Sequence, residues 1–221
     1  MEITTDHIVF WQHGPIVLNM TIVMTWGVMI LLATVSWLIT RHISSDSKIP
    51  QWQNSLEIII QYLKTQISET GLAQPEKFIG FLGTLFIFIA FSNLLAIIPY
   101  YEPPTGSLST TGALAFCVFV AVPFFGISER GLFAYLKSFC QPTIMNLPLN
   151  LLGEVSRTFA LAVRLFGNIM SEGVIGGILL SIAPFFFPVL MHLFGLLTGL
   201  VQAYIFFILA TVFITAAATG E

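Results

Sequence analysis

Arg164 stands in Phe159-Ala160-Leu161-Ala162-Val163-Arg164-Leu165-Phe166-Gly167-Asn168-Ile169-Met170, a stretch otherwise almost wholly apolar. An arginine at the centre of a bilayer costs about 2.5–3.5 kcal/mol on insertion scales. It cannot escape by losing its proton, because its pKa stays above about 12. A fixed cation at that depth calls for a partner carboxylate, a water-filled cavity, or both. Residues three or four apart on a helix share a face. Arg157, Leu161, Arg164, Asn168, Ser171 and Glu172 therefore form one stripe. Polar groups lined along about 22 Å of membrane helix read as the wall of an aqueous ion path. The competing reading is an internal salt-bridge ladder that only ties helices together.

A second apolar segment supplies His192, Thr198, Gln202, Tyr204, Thr211 and Thr215. Gln202 is an uncharged amide in mid-helix. It could face Arg164 across a hairpin, or simply join two helices by a hydrogen bond. His192 lies near the end of its segment. It is either a proton relay, given an ordinary pKa near 6.5, or an interfacial residue. Gly173, Gly176 and Gly177 face Gly195 and Gly199 in sequence. Small residues let helices approach closely, within the hairpin or against a moving partner.

The elements that must hold these groups are membrane helices. Of 221 residues, 56% are hydrophobic and 9% charged, and the mean hydropathy is +0.90. A soluble domain carries about 25% charged residues. The chain reads as an all-α integral membrane protein, with about five membrane helices and one amphipathic surface helix. There is no basic patch for nucleic acid. Cys117 and Cys140 make no metal spacing and read as small buried hydrophobes. Met1 to Pro15 contains Glu2 and Asp6 but no Lys or Arg, unlike a secretory signal. No G-x-x-x-x-G-K-[ST] motif is present, so any nucleotide chemistry belongs to other chains. Nothing in the spacing implies a cofactor or a metal.

A spanning helix needs about 20 mostly apolar residues. Single spans are expected over 16–40, 78–98 and 108–127. Gln51 to Thr70 spaces Leu56, Ile59, Ile60, Leu63 and Ile67 at helical intervals among polar residues, which predicts an amphipathic helix on the membrane surface. Ser128 to Thr143 is a polar connector. The stretches 146–183 and 189–218 form a hairpin about a turn bracketed by Pro184 and Pro188. The first of these would be about 57 Å long against a hydrocarbon core of about 30 Å, so a tilted hairpin packed against another protein is expected. Arg41, Lys48, Lys64, Lys77, Arg130 and Lys137 all fall on one side if the N-terminus is outside. That satisfies the positive-inside rule, with the C-terminus cytoplasmic.

The segment Arg164-Leu165-Phe166-Gly167-Asn168, preceded by Ser156-Arg157-Thr158 and followed by an acid, resembles the signature of subunit a of the F-type ATP synthase membrane sector. The resemblance extends to Asn93 with Pro99, to Pro104-Thr105-Gly106-Ser107-Leu108-Ser109-Thr110-Thr111, to Leu149-Asn150 and to Gln202-Ala203. It implies a non-catalytic, ion-conducting stator subunit that packs against a rotating c-ring. The partners it implies are b-type stator subunits and the rest of the F1F0 complex. Arg164 would face each ring carboxylate in turn, with Asn168 and Gln202 as neighbouring polar residues. Arg157 would be the basic residue two turns earlier. Glu172 would be the acid of one of two half-channels for protons or sodium ions. The family places that acid one residue later, where this chain has Gly173. It also carries an Asp and an Asn where this chain has Ser107 and Ser109. Glu154 sits one place later than the usual acid of that region. These departures, with the short N-terminus, resemble the alternative N-type ATPase branch. A bacterial plasma membrane is the expected location. The alternatives are a secondary ion transporter, which usually shows internal repeats that this chain lacks, and a purely structural membrane subunit.

Overall fold

The computed structural model describes residues 9–13, 16–41, 51–72, 74–98, 101, 103–139, 147–182 and 187–220. The elements are β1 (Val9–His13), β2 (Ile16–Asn19), α1 (Met20–Arg41), α2 (Gln51–Glu69), α3 (Pro75–Leu94), α4 (Leu108–Arg130), α5 (Leu132–Phe139), α6 (Leu147–Ile182) and α7 (Phe187–Thr219). Short 3-10 turns at Leu95–Ile97 and Pro104–Gly106 link α3 to α4. Helices α1, α3, α4, α6 and α7 are long and apolar enough to cross a membrane. The protein is a multi-pass, all-α membrane protein, as its composition implies. The Pro184 turn, the patch from His42 through Lys48 to Pro50, Glu102, Cys140 and the chain ends at 1–8 and 221 lie outside the described residues.

Several features depart from the sequence expectation, and Cys117, read as a small buried hydrophobe, is exposed on α4. A small antiparallel hairpin precedes α1, with Trp11 opposite Leu18 and His13 opposite Ile16. The first helix therefore starts at Met20 rather than Ile16. Ile16 and Val17 are β-branched and suit extended backbone, and a short apolar run does not reveal its own periodicity. In the expected connector, α4 runs on through Ser128-Glu129-Arg130 and stops at Gly131. There φ is +82°, a conformation that glycine adopts without strain. The chain then re-forms as α5.

Helix α7 is the centre of the bundle and packs against α3, α4 and α6. The core joins Leu82 and Ile89 of α3, Val118 and Val122 of α4, and Leu161 and Leu165 of α6 to Phe206, Phe207 and Ile214 of α7. Lipid is as apolar as these side chains, so close packing rather than water exclusion holds such helices together. Gly126 shows how close. A Cβ there would stand 2.7 Å from the Tyr135 ring and 3.2 Å from Ala217 Cβ, so α4, α5 and α7 can meet only around a glycine. Of the apolar stripe expected on α2, Leu63 and Ile67 are buried in the core, whereas Leu56, Ile59 and Ile60 are exposed. Helix α1 is peripheral, with Trp26, Ile30 and Trp37 at 59%, 64% and 60% exposure.

The two ends of the bundle differ in charge. At one end Lys64 pairs with Glu76 at 3.2 Å and Lys77 with Glu129 at 2.9 Å. The Arg130 guanidinium packs on Gly220, just after α7. The opposite end carries the 3-10 turns. There Ser107 caps α4, its side chain accepting a hydrogen bond from the Ser109 amide at 3.2 Å. These turns meet α6 and α7 well inside their length. Gly199, which they approach, lies about 18 Å along α7 from Phe187.

Candidate functional site

Of the two arginines in the polar stripe on α6, Arg157 finds partners within the chain and Arg164 finds none among the described residues. Arg157 pairs with Glu154, one turn earlier, at 3.6 Å. Its guanidinium also lies 5.7 Å from the centre of the Phe213 ring on α7, a cation–π distance. Arg164, two turns on, is exposed. Among the described residues it takes part in no ion pair, hydrogen bond or ring contact. Ala160, Val163 and Ser171 share that exposed surface, with Gly167 half-buried beside them. The guanidinium thus sits on a face of mostly small residues, where another helix can come close. Asn168, one turn further, is half-buried.

Glu172 lies two turns beyond Arg164, about 12 Å along the helix. It is half-buried, and its carboxylate rests directly on Gly195 of α7, in the space a Cβ would occupy. It opens into a cavity of about 350 Å³ lined by Asn93, Tyr101, Glu172, His192, Gly195 and Gly199, among others. That is room for several waters beside polar groups able to hold them. His192 is exposed at the rim side of this space. The Tyr101 hydroxyl is buried with no hydrogen-bond partner among the described residues. Burial pushes its pKa up to about 12, so the phenol remains a neutral donor.

Gln202 lies on the buried face of α7 at 7% exposure. No hydrogen bond joins it to Arg164 among the described residues, and its Nε2 has no partner. A buried, unpaired amide donor costs about 1–3 kcal/mol, which marks the position as one that meets water or another group. Toward the charged end runs a polar chain that the sequence did not reveal. Tyr204 Oη donates to Gln66 Oε1 at 2.8 Å, and Gln66 Nε2 donates to Glu69 Oε2 at 2.9 Å. Tyr62 Oη lies 3.5 Å from Tyr204 Oη. Tyr204 was visible as a polar residue of its segment. Its partners on α2 lie more than a hundred positions away, and no spacing rule connects them.

The arrangement therefore offers an uncommitted cation facing outward and a cavity lined by Glu172 and His192 toward one end. A hydrogen-bonded polar chain leads toward the other end. Comparison with known proteins gives a consistent picture. The family described as ATP synthase A chain matches residues 22–215. The chain is 60% identical over 221 residues to ATP synthase subunit a of Albidiferax ferrireducens, covering 100% of this chain and 96% of that one. It is 59% identical over 217 residues to ATP synthase subunit a 1 of Chlorobaculum parvum, covering 98% and 96%. It is 54% identical over 217 residues to ATP synthase subunit a 2 of Acaryochloris marina, covering 98% and 93%.

Proposed function

The chain belongs to the ATP synthase subunit a family, and on that premise we propose that its last hairpin is the stator face of a rotary ATP synthase, with Arg164 meeting the ring carboxylates in turn. The observation that carries this reading is the exposed guanidinium of Arg164, without a partner among the described residues, on a face of mostly small residues. The subunit is not itself catalytic. It works with the c-ring, the b-type stator subunits and the rest of the F1F0 complex, where the ATP chemistry resides.

The physics of the step follows from charge in lipid. A ring carboxylate crossing the bilayer has to be neutral or ion-loaded, because a bare anion there is too costly. Within about 4–6 Å of a guanidinium the charged form is favoured, so the site releases its ion opposite Arg164. Arginine keeps its proton, and the same cation blocks protons from passing straight between the two sides. The outer half-path is the cavity holding Glu172 and His192. Asn168 and Ser171 continue it toward Arg164. Gln202 lies behind, its amide free for water, and Arg157 shapes the field from its own ion pair. Orientation follows the charge asymmetry: the end with Lys64, Lys77 and Arg130 is cytoplasmic, and the N-terminus is outside. We place the protein in a bacterial plasma membrane, moving protons; a ring site loaded with sodium would be handled by the same chemistry.

Cysteine crosslinking tests the stator face. In assembled complex with Cys117 and Cys140 changed to Ser, Ala160→Cys should form a disulfide with a cysteine scanned along the outer helix of the ring subunit. Trp26→Cys, on peripheral α1, should form none. A crosslink from Trp26→Cys and none from Ala160→Cys would move the ring to another face and remove Arg164 from the reaction.

A further inference from the structure

Asn93 closes α3 beside the outer cavity at 4% exposure, and Thr105, in the turn Pro104–Gly106, is fully buried. Thr105 Oγ1 donates to Asn93 Oδ1 at 2.8 Å, and Asn93 Nδ2 donates to the Gly199 carbonyl at 2.9 Å. The far end fixes the polarity of this chain. Gly199 presents a carbonyl, which can only accept, so the Asn93 NH2 group must point to it. Asn93 Oδ1 then faces Thr105, and the threonine hydroxyl has to donate. A flipped amide would set two carbonyl oxygens against each other. The fit is tight: a Cβ at Gly199 would stand 2.9 Å from Asn93 Cβ. One turn earlier on the same helix, Gly195 seats the Glu172 carboxylate. Three elements are thereby clamped at the wall of the cavity: the end of α3, the 3-10 turn and α7.

We propose that Thr105 is a positioning residue for ion passage: its hydroxyl holds the Asn93 amide across onto Gly199, which keeps the Asn93 carbonyl out of the cavity and fixes the helix surface on which Glu172 rests. The inference rests on reading that cavity as the outer half-path. Asn93 borders the cavity, yet both ends of its amide are engaged, so it serves as wall rather than as a stop for ions. Without the hydroxyl, Oδ1 is a free acceptor beside a wet space. The amide turns in, gathers water and competes with Glu172 for the passing ion, while α7 loses its tie to α3.

The test separates wall from conduction. Ala96 lines the same cavity, so Ala96→Cys, with Cys117 and Cys140 changed to Ser, reports its wetness in assembled complex through the labelling rate with a small charged methanethiosulfonate. Thr105→Val should raise that rate about fivefold and lower ion flux by a similar factor, as expected for loss of one neutral hydrogen bond. Thr105→Ser, which keeps the donor, should restore both to within about twofold of the native protein. Thr105→Val labelling at the native rate overturns the proposal. So does Thr105→Ser failing as badly as Thr105→Val, since packing rather than the hydroxyl would then matter. If Thr105→Val opens the cavity and its flux stays native, Thr105 holds a wall but the cavity is not the path. The positioning role then falls together with the outer half-path reading, whereas native labelling removes the clamp alone.

Discussion

Membrane vesicles carrying Arg164→Ala should hydrolyse ATP without building an ion gradient. The argument is electrostatic. A neighbouring guanidinium lowers a carboxylate's pKa by about 1–3 units, so its removal weakens ion release from the ring by about ten- to a thousandfold. The substitution also opens a direct route between the two half-paths, and any gradient formed would dissipate. Arg164→Lys should fail as well. Lysine keeps the charge in water, but a buried ammonium gives up its proton readily and becomes a leak. Because Arg164 projects outward and takes no part in the core, neither variant should reduce the amount of assembled subunit. The measurement is ATP-driven quenching of a gradient-sensitive dye, with subunit content fixed by immunoblot. Gradient formation by Arg164→Ala above about a tenth of the native rate would contradict the pKa argument and end the role assigned to this residue.

Glu172→Gln should slow ion flux about tenfold while leaving assembly intact, a loss below the usual range for removing one positioned acid–base group, because His192 lines the same cavity and can share the transfer. The amide is nearly isosteric with the carboxylate, so it can occupy the same seat over Gly195. What it lacks is the ability to take up and release a proton at the wall of the cavity. Passive flux through vesicles stripped of the soluble sector measures this directly, since the ring and stator remain but ATP turnover does not contribute. Flux within about twofold of the native value, well short of that acid–base effect, would transfer the pathway acid to another residue. The order of effects matters too: Arg164→Ala should be far more severe than Glu172→Gln.

Much of the fold is legible in the sequence. Hydropathy located the spanning helices because about 20 apolar residues are needed to cross a bilayer, and Arg164 announced itself through the cost of its charge. The helical repeat placed Glu172 two turns from it on one stripe. The same repeat treated Arg157 and Arg164 as equivalent, because a spacing of seven reports the face and not the neighbours. Only the fold brings Phe213 of α7 over Arg157, while Arg164 is left without a partner among the described residues. Helix α5 was hidden because eight residues carrying Lys137 and Ser138 give too short a window for a periodic signal. The Thr105–Asn93–Gly199 clamp was out of reach for another reason. Its second bond spans 106 positions, and its logic depends on which atom of an amide faces which neighbour.

The pairing of Arg157 has a consequence for how the rotor comes to rest. With that charge already matched by Glu154, the α6 face presents one uncommitted cation to a passing ring. Two such cations, two helical turns apart, would hold two ionised ring sites at once and blur the resting angle over neighbouring subunits. One cation acts as a detent: a single discharged site is held at a time, and each ion carried advances the ring by one subunit. Single-molecule recordings of the rotating ring should therefore show dwells spaced by one ring subunit, and dwells spaced by two would mean that Arg157 also holds a site.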